Sequence, residues 1–162
     1  VATALAEMGY PTFGWSRRAR DLEGVHCVHG ADALGPLLEN TDVLINALPS
    51  TPDTRRLLDR ARLARLPPAA FVVNASRGDQ LDAGALLALL DAGRLSGALL
   101  DVFDGEPLAA DSPLWRHPRV IVTPHVAATT LAEPSVRQIV ANLQRLAAGE
   151  PLSGVVDRAR GY

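Results

Sequence analysis

Apolar residues occur along this chain in two patterns, as short continuous runs and as longer segments that repeat every three or four positions. Continuous runs are typical of strands buried on both faces, and the longer spacing is typical of amphipathic helices. Short apolar segments predict strands at Thr12 to Ser16, Val25 to His29, Val43 to Ala47, Phe71 to Asn74, Ala98 to Asp101 and Val120 to Thr123, and the apolar run is continuous at 43–45, 71–73 and 120–122. The periodic segments predict helices over residues 1–9, Ala31 to Glu39, Thr54 to Leu66, Asp82 to Ala92 and a final long helix ending at Gly149.

The alternation of strands and helices predicts how the chain is folded. Right-handed crossovers between such elements produce a parallel sheet that is covered by helices on both faces. The expected fold class is therefore α/β, a doubly wound parallel sheet of the Rossmann-like type. In such sheets, ligands bind beyond the carboxyl ends of the strands, so functional residues are expected just after each strand.

Composition and charge exclude several classes of protein. The 162 residues are 48% apolar and 21% charged, with a formal net charge of −2, and all 16 basic residues are arginines scattered along the chain. No basic tract of a nucleic-acid binder is present. The longest apolar run has six residues, Ala85 to Leu90, too few for a membrane span or a signal peptide. The single cysteine, Cys27, excludes an internal disulfide, so a cytoplasmic domain without a metal cluster is predicted.

Three kinds of chemically useful side chain follow the predicted strands. Arg77 follows the fourth strand, Glu106 follows the fifth, and His125 follows the last. A guanidinium binds a carboxylate through two hydrogen bonds, and an imidazole transfers a proton near neutral pH. A neighbouring glutamate favours the protonated imidazole. These residues suit a small oxo acid that is reduced by a hydride, which no side chain supplies and a nicotinamide does.

Four motifs at these positions are similar to those of a known family, the D-isomer-specific 2-hydroxyacid dehydrogenases. The motifs are Leu48-Pro49-Ser50-Thr51-Pro52-Asp53-Thr54, Asn74-Ala75-Ser76-Arg77-Gly78, Leu100-Asp101-Val102-Phe103 with Glu106-Pro107, and Thr123-Pro124-His125. They occur in family order and cover nearly the whole chain. Within that family, this chain further resembles a branch that reduces glyoxylate and hydroxypyruvate. The motifs that carry this resemblance are Trp15-Ser16-Arg17, Ser112-Pro113-Leu114-Trp115, Pro124-His125-Val126-Ala127-Ala128 and Val156-Asp157-Arg158-Ala159-Arg160-Gly161-Tyr162.

The resemblance implies a role for each matching residue. Arg77 would orient the substrate, His125 would be the acid in reduction and the base in oxidation, and Glu106 would be its partner. Asp101 would hold the nicotinamide carboxamide. The implied cofactor-binding set is Ser16, Arg17, Arg18, Leu48, Pro49, Thr54, Ala75, Ser76, Asp101 and His125.

The predicted cofactor is NADP, with NADPH preferred over NADH. A domain that binds NAD places an acid after this strand to accept hydrogen bonds from the ribose hydroxyls. The run Ser16-Arg17-Arg18 contains no acid, and Asp21 and Glu23 come several residues later. Guanidinium groups here instead suit the additional phosphate of NADPH.

The resemblance also predicts a division of the chain. Residues 1–150 would be the NAD(P)-binding domain, incomplete at its N-terminus, and 151–162 a tail that returns to the substrate domain. The family's first strand and Gly-rich loop precede the helix that begins at Val1, and that strand would lie between the first and third strands seen here. We therefore expect this chain alone to be inactive. The resemblance also implies that the full-length protein is a homodimer.

Other readings remain open from the sequence. An NAD-dependent enzyme similar to phosphoglycerate dehydrogenase shares the catalytic motifs, and non-catalytic dinucleotide-sensing proteins share the fold. A truncated, inert polypeptide is a third reading. Formate dehydrogenases pair the histidine with glutamine, so Glu106 argues against them.

Overall fold

Strands and helices alternate along the chain in the order that the hydrophobic pattern predicts. The computed structural model describes residues 1–158, so 159–162, the end of the predicted tail, lie outside the described residues. The strands are β1 (Thr12–Ser16), β2 (Val25–His29), β3 (Val43–Asn46), β4 (Ala70–Asn74), β5 (Leu95–Leu100) and β6 (Val120–Val122). The helices are α1 (Ala2–Glu7), α2 (Ala31–Glu39), α3 (Arg60–Leu63), α4 (Ala83–Asp91) and α5 (Ala132–Ala147), with short 3₁₀ helices at Gly78–Gln80 and Pro113–Trp115.

All strand pairs in these six strands are parallel, which confirms the predicted α/β class. β1 pairs with β2 in a two-stranded sheet, and the other four form a second sheet in the order β3-β4-β5-β6. Within residues 1–158, β1 and β3 share no ladder, so each is hydrogen-bonded on one side only. The carboxyl ends of β3 to β6 therefore meet along one continuous edge.

One hydrophobic cluster holds the four-stranded sheet and its helices together. The Asp82 carboxylate caps α4 by accepting from the Ala85 N–H at 2.9 Å. Leu86 and Leu90 of α4 are essentially fully buried in the cluster, as is Val72 of β4. The cluster anchors the strands whose carboxyl ends carry the site, because a close-packed core resists displacement of the backbone.

The predicted helix over Thr54 to Leu66 is wrong in its first half, since only Arg60–Leu63 is α-helical. Arg56 has a φ of 50°, which is incompatible with a right-handed helix at this residue. The N–H groups of Arg56 and Leu58 donate to the carbonyls of Asp79 and Gln80 at 2.8 and 2.9 Å. These long-range hydrogen bonds replace the helical ones, and the segment is joined to the 3₁₀ helix behind the site.

The fifth strand starts three residues earlier than predicted, at Leu95 instead of Ala98. Ser96 is exposed and interrupts the apolar run, which hid this part of the strand from the sequence pattern. Gly97 is required by packing, because a Cβ there would stand 2.6 Å from the Phe71 ring and 3.0 Å from the Arg119 carbonyl oxygen.

The final helix is confirmed at Ala132–Ala147, and Gly149 follows it with a φ of 69°. Within the described residues 1–158, nothing covers the apolar side of this helix, and its exposed side chains are Val136, Ile139, Val140, Leu143 and Leu146. Among the described residues, no helix combines the length and the apolar character needed to cross a membrane.

Candidate active site

A histidine–glutamate pair lies at the carboxyl edge of the four-stranded sheet. Nδ1 of His125 is 2.7 Å from Oε2 of Glu106, and both side chains are partly exposed. A carboxylate only accepts, so Nδ1 carries the shared proton, and Nε2 is the ring nitrogen left for a reactant. Oε1 of Glu106 accepts from the Phe103 N–H at 3.0 Å, which fixes the second carboxylate oxygen.

The electrostatics of this pair favour a charged carboxylate. The hydrogen bond from His125, followed by that from the Phe103 N–H, lowers the pKa of the Glu106 carboxyl below its ordinary value. The positive charge of Arg77 acts in the same direction. A negative charge beside an imidazole favours the imidazolium form, which is the form that donates a proton.

Asp101, just after β5, holds the segment that carries His125. Its Oδ1 accepts from the Thr123 hydroxyl at 2.5 Å and from the Val126 N–H at 2.9 Å, while Oδ2 accepts from the Ala127 N–H at 2.8 Å. Burial by itself raises the pKa of Asp101, but these hydrogen bonds outweigh burial, and the pKa is lowered. The predicted contact of Asp101 with a nicotinamide carboxamide stays a prediction, because these oxygens already serve the segment 123–127.

The backbone of His125 needs this anchorage. His125 has a φ of 55°, in the left-handed region that residues other than glycine seldom adopt. Hydrogen bonds on both sides of it, from Thr123 and from Val126 to one carboxylate, hold the segment in that conformation. Such strain persists only where the surroundings over-determine the geometry, and it is common where a side chain must be aimed at a ligand.

Arg77 lies beyond β4 on the same edge and is exposed. Its Nη1 donates to the Ser76 carbonyl at 2.7 Å, and its own carbonyl accepts from Nδ2 of Asn74 at 3.1 Å. The guanidinium is near enough to Glu106 to lower the pKa of that carboxyl. The structure therefore brings the three predicted catalytic residues to one edge.

Gly78 sets the distance between the Arg77 segment and the Glu106 segment. A Cβ at Gly78 would stand 1.8 Å from the Phe103 carbonyl carbon and 2.2 Å from the Asp104 nitrogen. Only glycine allows the two backbones to approach so closely. Any larger residue would push the loop 103–106 away and carry Glu106 with it.

A cleft of about 490 Å³ separates the loops that follow β3 and β4. It is lined by Ala47, Leu48, Pro49, Ser50, Ala75, Ser76 and Arg77. Five of the predicted site residues thus share this cleft. The hydroxyl of Thr54, another predicted site residue, donates to the Pro49 carbonyl at 2.7 Å and so supports the wall from behind.

The remaining predicted cofactor residues, Ser16, Arg17 and Arg18, lie at the end of β1 and directly after it, on the two-stranded sheet. Arg17 and Arg18 are exposed, and the Ser16 hydroxyl donates to the Arg18 carbonyl at 2.7 Å, which shapes the turn. No acid lies between Ser16 and Arg20. The donor set fits a phosphorylated dinucleotide, because guanidinium groups bind phosphate and the Leu48–Pro49 wall offers an apolar surface to a base.

Sequence reasoning missed a group of buried amides beneath the cleft. Asn46, Asn74 and Gln80 are 5%, 0% and 1% exposed, and Asn46 donates hydrogen bonds to the other two. Two of them were visible as polar residues that end apolar strands, Val43-Leu44-Ile45-Asn46 and Phe71-Val72-Val73-Asn74. Gln80 had no comparable signal, because its partners are about 30 positions away in the chain.

Comparison with known proteins gives consistent matches over the chain. Residues 1–127 match the family model described as the NAD binding domain of D-isomer specific 2-hydroxyacid dehydrogenases. A curated relative, glyoxylate/hydroxypyruvate reductase A of Salmonella newport (strain SL254), is 46% identical over 162 residues. The match covers 100% of this chain and 52% of the relative, so the chain spans about half the length of the curated relatives it matches.

Solved structures give the same result for the fold. A D-isomer specific 2-hydroxyacid dehydrogenase from Xanthobacter autotrophicus Py2, in complex with NADPH and MES, is 45% identical with a TM-score of 0.96. That match covers 99% of this chain and 66% of the other. An NADPH-dependent glyoxylate/hydroxypyruvate reductase from Sinorhizobium meliloti, in complex with NADP and sulfate, is 41% identical with a TM-score of 0.94. That match covers 99% of this chain and 52% of the Sinorhizobium meliloti chain.

Proposed function

The chain belongs to the D-isomer specific 2-hydroxyacid dehydrogenase family, and we propose that the intact protein reduces short 2-oxo acids to 2-hydroxy acids with NADPH. Glyoxylate and hydroxypyruvate are the proposed substrates. The observation that carries the proposal is the 2.7 Å contact between His125 and Glu106 at the sheet edge that also bears Arg77. The names of the relatives support the choice of substrates, since two of them are glyoxylate/hydroxypyruvate reductases.

Arg77 and His125 divide the work on the substrate. The Arg77 fork binds the carboxylate through charge-assisted hydrogen bonds and orients the adjacent carbonyl. His125 presents Nε2 to the carbonyl oxygen and donates a proton as that oxygen becomes an alcohol. Glu106 holds the imidazole by Nδ1 and balances the charge of its protonated form. In the direction of oxidation, neutral His125 accepts the hydroxyl proton.

Residues of the cleft and of the turn after β1 are the proposed cofactor contacts. The nicotinamide, when bound, supplies the hydride that adds to the carbonyl carbon. Leu48 and Pro49 would contact the adenosine, and Arg17 and Arg18 would bind the 2′-phosphate. The other proposed contacts are Ser16, Thr54, Ala75, Ser76, Asp101 and His125.

Steady-state kinetics of the intact protein test this function. We expect oxidation of NADPH that depends on glyoxylate or hydroxypyruvate, with the D-2-hydroxy acid formed from hydroxypyruvate. An enzyme similar to phosphoglycerate dehydrogenase would instead use NADH and a phosphorylated substrate. Binding of NADPH without turnover of any short 2-oxo acid would contradict the proposal and favour a dinucleotide-sensing protein.

Arg17 is proposed to determine the choice of cofactor, and Arg17→Ala should lower kcat/KM for NADPH by about 10- to 100-fold. A guanidinium–phosphate hydrogen bond is worth about 1.5–3 kcal/mol, and each decade of kcat/KM corresponds to about 1.4 kcal/mol. The value for NADH should change little, because NADH lacks the phosphate. The loss should shrink as salt rises, since charges at an exposed site are screened over about 10 Å at 0.1 M salt.

Two further variants complete this test. Arg18→Ala shows whether the neighbouring guanidinium shares the phosphate, and Arg20→Ala is the matched control, because Arg20 is an exposed arginine of the same loop. The Arg20 variant should keep the wild-type ratio of NADPH to NADH efficiency. If the Arg17 variant also keeps that ratio, Arg17 does not contact the phosphate.

A further inference from the structure

Three buried side-chain amides form one hydrogen-bonded cluster beneath the cleft, and we call Asn46, Asn74 and Gln80 the amide triad. Nδ2 of Asn46 donates to Oδ1 of Asn74 at 3.0 Å and to Oε1 of Gln80 at 2.8 Å. The three residues come from the end of β3, the end of β4 and the 3₁₀ helix after β4. The triad therefore joins three separate chain segments at the sheet edge.

The hydrogen-bond partners dictate how each amide is turned. Nε2 of Gln80 faces the carbonyls of Leu48 and Pro49 at 3.1 and 2.9 Å, and carbonyls only accept, so the NH₂ group must point there. Oε1 of Gln80 is then left for Asn46. Since Asn46 uses its NH₂ group for the triad, its Oδ1 accepts from the Leu48 N–H at 3.3 Å. Each amide thus has one orientation that satisfies all its partners.

The triad holds both walls of the cleft from below. On the β3 side it binds the backbone of Leu48 and Pro49, which are the proposed adenosine wall. On the β4 side, Nδ2 of Asn74 donates to the Arg77 carbonyl at 3.1 Å, and Oδ1 accepts from the Ser76 N–H at 3.3 Å. The residue proposed to bind substrate and the wall proposed to bind cofactor are therefore tied to the same three side chains.

Stability alone is a poor explanation for these amides. Buried amides must recover their lost hydration through hydrogen bonds, so a complete set of them replaced by apolar groups of the same shape is often equally stable. What apolar residues cannot do is hold backbone carbonyls and N–H groups at fixed positions. Fully satisfied polar networks instead specify one geometry, which suits loops that must align two ligands.

We propose that Gln80 is a positioning residue that, through the amide triad, holds Arg77 and the Leu48–Pro49 wall in register for reaction. This inference rests on the proposed function. Gln80 lies beneath the cleft, where it would touch neither ligand, and it acts through the backbone of the residues that do. Removal of its hydrogen bonds should therefore impair substrate and cofactor binding together, which a change in either binding residue alone would not do.

Gln80→Met in the intact protein tests the inference, because methionine has a similar length and no amide. We expect KM for glyoxylate and Kd for NADPH both to rise by about 10-fold, which corresponds to the loss of about one hydrogen bond (about 1.4 kcal/mol) at each binding site. In an Arg77→Lys background, the same change should raise KM for glyoxylate less than threefold, because the coupled residue is already altered. Leu38→Ala is the control for stability, since Leu38 is a fully buried core residue of α2.

Gln80→Glu supplies a second readout if the methionine variant folds poorly. A glutamate carboxylate at this position has no hydrogen to donate to the two carbonyls that it faces, whereas the protonated acid has one. Burial among carbonyls raises the pKa of such a carboxyl. Measured at a temperature where both proteins are fully folded at every pH, the activity of Gln80→Glu relative to wild type should therefore recover as pH falls. A recovery that only follows the folded fraction would indicate a structural role.

The outcomes separate this inference from the proposed function. If the wild-type protein reduces no short 2-oxo acid, the proposed function fails first. If the wild type is active and Gln80→Met loses stability to the same extent as Leu38→Ala with unchanged KM and Kd, Gln80 is structural only. Full additivity with Arg77→Lys, or a flat pH ratio for Gln80→Glu, would also overturn the positioning role.

Discussion

Replacement of His125 by alanine should lower kcat for the reduction of glyoxylate by about 10²–10⁴-fold, which is the typical contribution of a positioned proton donor. The reason is that Nε2 of His125 is the group proposed to protonate the carbonyl oxygen, with Nδ1 already engaged by Glu106 at 2.7 Å. Binding of NADPH should change far less than kcat. Single-turnover and steady-state kinetics of the intact protein would measure both quantities.

The Glu106→Gln variant should move the pH profile of reduction to lower pH. An amide does not favour the imidazolium as a carboxylate does, so the proton donor is lost at a lower pH as pH rises. In the wild type, the hydrogen bond from His125 lowers the pKa of Glu106, so the carboxylate stays charged at pH values where an ordinary glutamate takes up a proton. On the acid side, the charge pair is lost as pH falls through that lowered pKa.

A matched control for this pair is present in the chain. His117 also contacts a carboxylate, with Nε2 at 3.3 Å from Oδ1 of Asp91, but it precedes β6 and so lies at the opposite end of that strand from His125. His117→Ala should keep wild-type kcat and an unshifted pH profile. The assignment of the acid must be abandoned if the His125 and Glu106 variants behave as the His117 variant does.

Arg77→Ala should lower kcat/KM for glyoxylate by about 10²–10⁴-fold. Two charge-assisted hydrogen bonds to the substrate carboxylate are worth about 1.5–3 kcal/mol each, and about 1.4 kcal/mol corresponds to one decade. Arg77→Lys should recover part of the loss, because an ammonium keeps the charge and lacks the planar fork.

A substrate without a carboxylate makes the Arg77 test specific. Glycolaldehyde has the same aldehyde as glyoxylate with a hydroxymethyl group in place of the carboxylate. The wild-type preference for glyoxylate over glycolaldehyde should collapse in Arg77→Ala and persist in Arg116→Ala, which removes an exposed arginine of the turn before β6. A preference that survives in the Arg77 variant would show that another residue binds the carboxylate.

Much of the fold could be predicted because it depends on local pattern. The boundaries of β1 and β2 are as predicted, and β3, β4 and β6 differ by one residue at one end. Continuous apolar runs identify strands buried on both faces without any knowledge of their neighbours. Parallel order then places the ends of β4, β5 and β6 at one edge, and this is why Arg77, Glu106 and His125 could be grouped from the sequence.

The positions that failed depend on contacts between distant segments. The sequence pattern of Thr54 to Leu66 is helical, but Arg56 and Leu58 find hydrogen-bond partners at Asp79 and Gln80, and these override local preference. The start of β5 was hidden because Ser96 is exposed while Gly97 fits beneath the Phe71 ring. No local pattern records a neighbour that lies 20 or more positions away in the chain.

For this protein, the sequence by itself determined the fold class, the order of the elements and the residue types at the strand ends, because these follow from hydrophobic periodicity and motif spacing. Only the tertiary structure decided how those residues are held. Asp101 is turned toward the segment of His125, Gly78 admits the loop of Glu106, and the amide triad contacts both walls of the cleft. Each of these roles arises from the close approach of segments far apart in the chain, where packing and hydrogen-bond satisfaction leave one arrangement.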